Sequence, residues 1–145
     1  MSPLVVLDAA GLDRLAAPQG ALLREQLRQA VLAGGQVRTA AVTVAEVARG
    51  AARTRGVQAV LARRLGGARV EVVPTDVPLA LAVGRLLHAA GLGSEHLADA
   101  HVVAACADAD VAVVVTSDPD DVRRLADGLP GTRVLTRRPD RPLTR

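Results

Sequence analysis

The chain has 145 residues, half of them hydrophobic and 23% charged, the balance of one globular domain and not of a disordered segment. It contains no Phe, Tyr or Trp, and all 18 of its basic residues are Arg. The missing Lys excludes a P-loop and Schiff-base chemistry, and the missing aromatics exclude base stacking on aromatic platforms and a Tyr nucleophile. The net charge of +3 is unevenly spread: Arg123 to Arg145 carries seven Arg against two Asp, whereas Asp108 to Asp121 carries five Asp and no Arg. A basic segment beside an acidic cluster suits a polyanion approaching a cation site, and it equally suits a solvated tail beside helix-capping acids. The single cysteine, Cys106, forms no internal disulfide, which fits a reducing compartment. No apolar run approaches the roughly 20 residues of a membrane span, and no basic n-region precedes an apolar stretch, so the expected location is the cytoplasm.

In chain order, Leu4 to Leu7 is a short apolar run ending at Asp8 and reads as a buried strand. Residues 21–33 read as a helix with Leu23, Leu27, Ala30 and Val31 at helical spacing, stopped by Gly34-Gly35. Val37 to Val42 is a second strand, followed by a helix opening at Thr43-Val-Ala-Glu46; Gly50 and Gly56 interrupt the next stretch, and residues 57–65 look helical. Arg69 to Val73 is a third strand. Asp76 caps the next helix, with Pro78 in its first turn and Leu79, Val83, Leu86, Leu87 and Ala90 on its buried face. After Gly91-Leu-Gly93 a helix runs from Ser94 to about Asp108. Val111 to Thr116 is the most hydrophobic strand, 119–127 a helix, and Val134-Leu135 a final strand. The domain is expected to span 1–136, with 137–145 a loose basic tail. Strands alternating with helices predict a three-layer α/β domain with a mostly parallel sheet. Ligands of such sheets bind beyond the carboxyl ends of the strands, where Asp8, Glu46 and Asp118 fall.

Each acid has a structural reading beside the functional one. Asp8 suits the cap of a following helix. Thr43-x-x-Glu46 has the form of a capping box, in which Glu46 reaches back to the cap. Asp118 suits an N-cap before Pro119, with Asp120 and Asp121 favouring the helix dipole. Asp99 differs: at about 100° per residue it lies among Val102, Val103 and Cys106, in the middle of a helix where capping offers no role. A carboxylate there needs a partner, either a cation shared with other acids or a distant Arg. Four carboxylates at one edge repel each other unless a cation sits among them, and all-oxygen ligation points to Mg²⁺ or Mn²⁺. Such ions serve phosphodiester cleavage, singly or as a pair about 4 Å apart. Among the histidines, His88 and His101 read as exposed; His96, three residues before Asp99, reads as a surface or capping residue that also has the reach to face the acids. Without paired His or Cys spacing, zinc is not indicated, and no Ser sits in a nucleophile elbow.

Val-Leu-Asp8-Ala, Val-Ala-Glu46-Val, Leu-Ala-Asp99-Ala-His-Val-Val-Ala and Val-Thr-Ser-Asp118-Pro-Asp-Asp-Val, in that order and spacing, resemble the PIN-domain family, and more narrowly the VapC-type toxins of toxin–antitoxin pairs. The resemblance covers roughly residues 4 to 136. It implies an α/β/α domain with a four- or five-stranded parallel sheet and Mg²⁺- or Mn²⁺-dependent endoribonuclease activity. It implies that Asp8, Glu46, Asp99 and Asp118 form the catalytic, metal-holding quartet. It matches Asp121 to a further acid near the metal and Ser117 to a supporting hydroxyl. It also implies a homodimer neutralised by a cognate antitoxin. The chain departs from the family in lacking aromatics and Lys, which leaves the grip on RNA to Arg; Arg49, Arg53, Arg55, Arg137 and Arg138 are the candidates. A catalytically silent PIN-like module that binds protein or RNA is the competing expectation, and a phosphatase or DNA nuclease on a similar sheet is a third.

Overall fold

A computed structural model describes residues 3–143. Five strands, β1 (Leu4–Leu7), β2 (Gln36–Ala40), β3 (Glu71–Val73), β4 (Val111–Val115) and β5 (Arg133–Arg137), form one sheet in the order β3-β2-β1-β4-β5. Every neighbouring pair is parallel. Seven α-helices cover it: α1 (Ala9–Ala16), α2 (Ala21–Leu32), α3 (Ala41–Val47), α4 (Ala51–Ala62), α5 (Val77–Ala90), α6 (Leu97–Ala104) and α7 (Pro119–Ala126). The expected three-layer α/β/α architecture is present, with five strands. Among the described residues no helix is long and apolar enough to cross a membrane.

Side-chain alternation along the two central strands divides the core in two. Leu4, Val6, Ala112 and Val114 pack with α5, α6 and α7, while Val5, Leu7 and Val115 pack with α1, α2 and α4. The strands are apolar on both faces because both faces are covered. With no residue larger than Leu in these clusters, helices approach the sheet closely. At Gly11 in α1 an added Cβ would lie 3.0 Å from the carbonyl oxygen of Val115, so the first turn of α1 rests directly on the end of β4.

Several element boundaries differ from the sequence reading. Strand β2 ends at Ala40 and α3 begins at Ala41, so Thr43 lies inside the helix and does not cap it. Helix α4 starts at Ala51 and runs through Gly56, which faces Ala16 of α1 across ordinary contact distance; tertiary packing overrides the local cost of glycine. The segment from Ser94 is not one helix: a 3₁₀ turn, Ser94–His96, precedes α6, which ends at Ala104. His101 is buried instead of exposed, because Ala100 to Ala104 are buried on all sides; its Nδ1 lies 2.7 Å from the carbonyl oxygen of Leu97. His88 is exposed. Asp76 does cap α5, accepting from the Leu79 N–H at 2.9 Å, with Pro78 in the first turn. Strand β5 extends through Arg137, and Leu143 packs against the α2 side of the core.

Candidate metal centre

The chain runs outward from β1 to β2 and β3, then returns to place β4 on the other side of β1. The crevice between the carboxyl ends of β1 and β4 is therefore the topological switch point, where open parallel sheets place ligands. Asp8 follows β1 and Asp118 lies three residues beyond β4. The ladder continues past the strand ends, with the Asp8 N–H donating to the Val115 carbonyl at 3.1 Å.

Asp8 is buried at 6% exposure and caps α1, its Oδ1 accepting from the Gly11 N–H at 2.9 Å. The capping reading of Asp8 is thus met, and the cap occupies only one of its two carboxylate oxygens. Burial raises its pKa above the ordinary carboxylate value; hydrogen bonds from Thr116, Gly11 and Ala10 oppose that rise, and the nearby charge of Asp118 adds to it. Glu46 lies in the last turn of α3, half-buried. Its pKa is raised by burial first and by Asp8 second, with Arg49 pulling it down. The capping-box reading of Thr43 and Glu46 is corrected, because α3 starts two residues before Thr43 and has no side-chain cap; the buried Thr43 hydroxyl has no hydrogen-bond partner among the described residues. Asp118 stands at the N-cap position of α7 but makes no side-chain cap bond, so its carboxylate is not committed to the helix.

Asp99 lies in the first turn of α6, not mid-helix as the helical wheel suggests. Its pKa is pushed up to about 6, by burial first and then by the charges of Asp8, Asp118, Asp121 and Glu46. Asp99 is thus the point at which all the other candidate acids are felt together. The imidazole of His96 stands beside it, with Nδ1 3.9 Å from one Asp99 oxygen and 3.7 Å from one of Asp121. Ligand atoms of His96, Asp99 and Asp121 all fall within 4.8 Å of one another, a spacing compatible with one divalent cation. Desolvated, mutually repelling carboxylates, of which only Glu46 feels an arginine, form a donor set that fits a hard cation.

The sequence points to Ser117 as the supporting hydroxyl, but Ser117 is exposed and lines an open cleft with Arg14 and Arg138. Thr116, fully buried, takes that position: it hydrogen-bonds the Asp8 carboxylate, and its Oγ1 accepts from the Asp118 N–H at 2.9 Å. Position 116 sits within the expected strand, which conceals it; the available signal is a Thr breaking an apolar Val run. His96 is the second residue whose role the sequence understates, and its i, i+3 spacing to Asp99 is the clue. Of the candidate RNA-contacting arginines, Arg49 is close enough to Glu46 to lower its pKa, and Arg53 lines a shallow hollow between α1 and α4. Arg55 is exposed on α4. Arg137 is held in β5 and bonds the Thr136 carbonyl, while Arg138 faces the cleft beside Ser117.

The fold is a parallel α/β domain with an acidic crevice at the carboxyl edge of its sheet, a possible site for a metal ion. The PIN domain family model matches residues 15–128, and the chain belongs to the PIN-domain family. No curated protein sequence matches it. Among solved structures it resembles VapBC2 from Rickettsia felis bound to a DNA fragment from their promoter, with a TM-score of 0.63 at 14% identity, over 92% of this chain and 98% of that one. It also resembles FitAB bound to an IR36 DNA fragment, with a TM-score of 0.58 at 23% identity, over 91% of this chain and 94% of that one.

Proposed function

We propose that this protein is a metal-dependent endoribonuclease that cleaves RNA phosphodiester bonds, acting in the cytoplasm as the toxin of a toxin–antitoxin pair. The observation that carries this reading is the gathering of Asp8, Glu46, Asp118 and Asp121 around a half-buried Asp99, whose carboxyl is lifted to about 6 by burial first and by those charges second. A structural ion pair would lower that value, whereas burial among like charges raises it. Mg²⁺ or Mn²⁺, when bound, would supply Lewis-acid activation of water and neutralise charge on the scissile phosphate.

The chain's own residues set up that chemistry. Asp8, Glu46, Asp99 and Asp118 hold the cation, directly or through water, and Asp121 adds a further oxygen ligand at the same edge. Asp8 is fixed by the α1 backbone and by Thr116, which also fixes the backbone at Asp118; the ligands from β1 and β4 are therefore preorganised against each other. Burial of Asp8 excludes bulk water from the floor of the crevice. Arg49 at one side and Arg138 at the other bind substrate phosphates, with Arg53, Arg55 and Arg137 contributing to the approach of the polyanion. The two solved relatives are two-component assemblies on DNA, which supports a cognate antitoxin as partner here. Exposed Val77 and Leu81 on α5 favour a homodimer through that helix.

The test is cleavage of total cellular RNA, and of matched DNA, by antitoxin-free protein with Mg²⁺, Mn²⁺ or EDTA, beside Asp99→Asn. RNA cleavage that requires both the metal and Asp99 is expected. A folded protein that binds Mn²⁺ but cuts nothing would replace this reading with the silent binding module, and one that binds no metal would remove its basis.

A further inference from the structure

Resting on the metal-centre reading above, we propose that His96 is a nitrogen ligand of the bound cation, together with Asp99 and Asp121, and that it tilts this site toward Mn²⁺ over Mg²⁺. The 3₁₀ turn Ser94–His96 and the first turn of α6 put His96 and Asp99 on one side, and α7 brings Asp121 to the same point. Both contacts are made by the same ring atom: Nδ1 lies 3.9 Å from Asp99 Oδ2 and 3.7 Å from Asp121 Oδ2. Those separations are longer than hydrogen bonds. They fall in the range that donors about 2.0–2.2 Å from a common ion span between themselves, roughly 3 to 4 Å according to the angle.

The other ring nitrogen, Nε2, lies 3.8 Å from Glu95 Oε1, beyond hydrogen-bond distance but within reach of a small movement of that exposed side chain. With Nδ1 on a cation the Nε2 proton is left to donate, and Glu95 is the carboxylate placed to accept it. Glu95 is well exposed and is not among the side chains whose ligand atoms cluster, so it serves as a positioning residue, not a ligand. Mn²⁺ prefers oxygen too, but as a first-row transition ion it accepts an imidazole nitrogen more readily than Mg²⁺, which dehydrates reluctantly and takes oxygen. The acids alone make a hard site, and His96 adds the one donor that separates the two ions.

The test uses the full chain. Mn²⁺ is bound to the wild-type protein and examined by pulsed electron paramagnetic resonance for modulation from a directly coordinated nitrogen. Affinities for Mn²⁺ and Mg²⁺ are measured by calorimetry on the wild type, His96→Ala and Glu95→Gln. The expected result is nitrogen modulation in the wild type that disappears in His96→Ala. With it should come a fall of about tenfold or more in Mn²⁺ affinity and a much smaller change for Mg²⁺. Glu95→Gln should keep the modulation and weaken Mn²⁺ binding less. Mn²⁺ bound without nitrogen modulation, or an unchanged Mn²⁺-to-Mg²⁺ preference in His96→Ala, would overturn the role of His96 while leaving the acidic site standing. A wild type that binds neither ion would overturn both. The spectrum of the wild type decides the matter even if a variant fails to fold.

Discussion

Replacing Asp99 with Asn should make the metal-free protein more stable at neutral pH, although Asp99 is the acid most central to the site. The folded-state pKa of Asp99 is about 6, against an ordinary value of 3.8. Between those two values the folded state holds a proton that the unfolded state has lost, so stability falls as pH rises through that window and stays low above it. The shift of about two units corresponds to roughly 3 kcal/mol at full strength. The side chain is 25% exposed, so solvent screening reduces this to about 1–2 kcal/mol. One effect opposes the gain: a carboxylate in the first turn of α6 interacts favourably with the helix dipole, by about 0.3–1 kcal/mol. Burial together with repulsion from four acids outweighs it. Thermal unfolding in EDTA should therefore show Asp99→Asn melting several degrees above wild type at pH 8, at about 3 °C per kcal/mol, with the difference gone near pH 4. Adding Mn²⁺ should raise the wild type and move the variant much less. A variant that melts at or below the wild type in EDTA at pH 8 would refute the claim that Asp99 sits in uncompensated negative field.

Three further substitutions separate the structural reading from its competitors. Thr43→Val keeps the shape of a buried residue whose hydroxyl has no partner, so urea unfolding should show no loss or a gain of up to about 1 kcal/mol; a capping box would instead lose about 1 kcal/mol. Thr116→Val removes the hydroxyl shared by Asp8 and the Asp118 backbone, and should cost about 1–3 kcal/mol in chemical denaturation and weaken Mn²⁺ binding in calorimetry. Arg38, 14% exposed, joins Glu71, Asp108 and the Ala105 carbonyl at the opposite end of the strands. Arg38→Ala should therefore lower the unfolding midpoint while leaving Mn²⁺ affinity unchanged. Metal-free Asp99→Asn should also bind a short RNA more tightly than the wild type in a low-salt titration, because one repelling charge is gone.

The layer order and the sheet are legible because the apolar runs at Leu4–Leu7 and Val111–Val115 are bounded by acids and turn residues, and because their spacing leaves room for crossover helices. The acids are legible because each falls just past a strand or within a turn of it. The local roles are not. Thr43 and Glu46 have the spacing of a cap, yet the strand before them ends early and the helix begins on Ala41, which carries no capping signal at all. Asp99 reads as mid-helix because Ser94–His96 has helical composition, but those residues form a 3₁₀ turn and move the start of α6 forward. His101 defeats the wheel because α6 is covered all round from Ala100 to Ala104, so no polar face exists there to place it on. Thr116 and the His96–Asp121 contact act between elements, and contacts of that kind leave no periodic trace in one sequence.

The absence of aromatic residues bears on how the site is built as well as on which functions are excluded. Buried apolar positions near the crevice are no larger than Leu, and the first turn of α1 lies so close to β4 that a methyl group at Gly11 would press on the Val115 carbonyl. Close approach of α1 to the sheet carries Asp8 inward, and the all-round burial of α6 carries Asp99 toward it. The crowding of carboxylates is thus a consequence of packing with small side chains. It lowers the stability of the metal-free fold, and that same repulsion is the free energy a divalent cation recovers on binding. Stability and affinity are then two readings of one electrostatic quantity, and the pH at which Asp99 ionises marks where both begin to change.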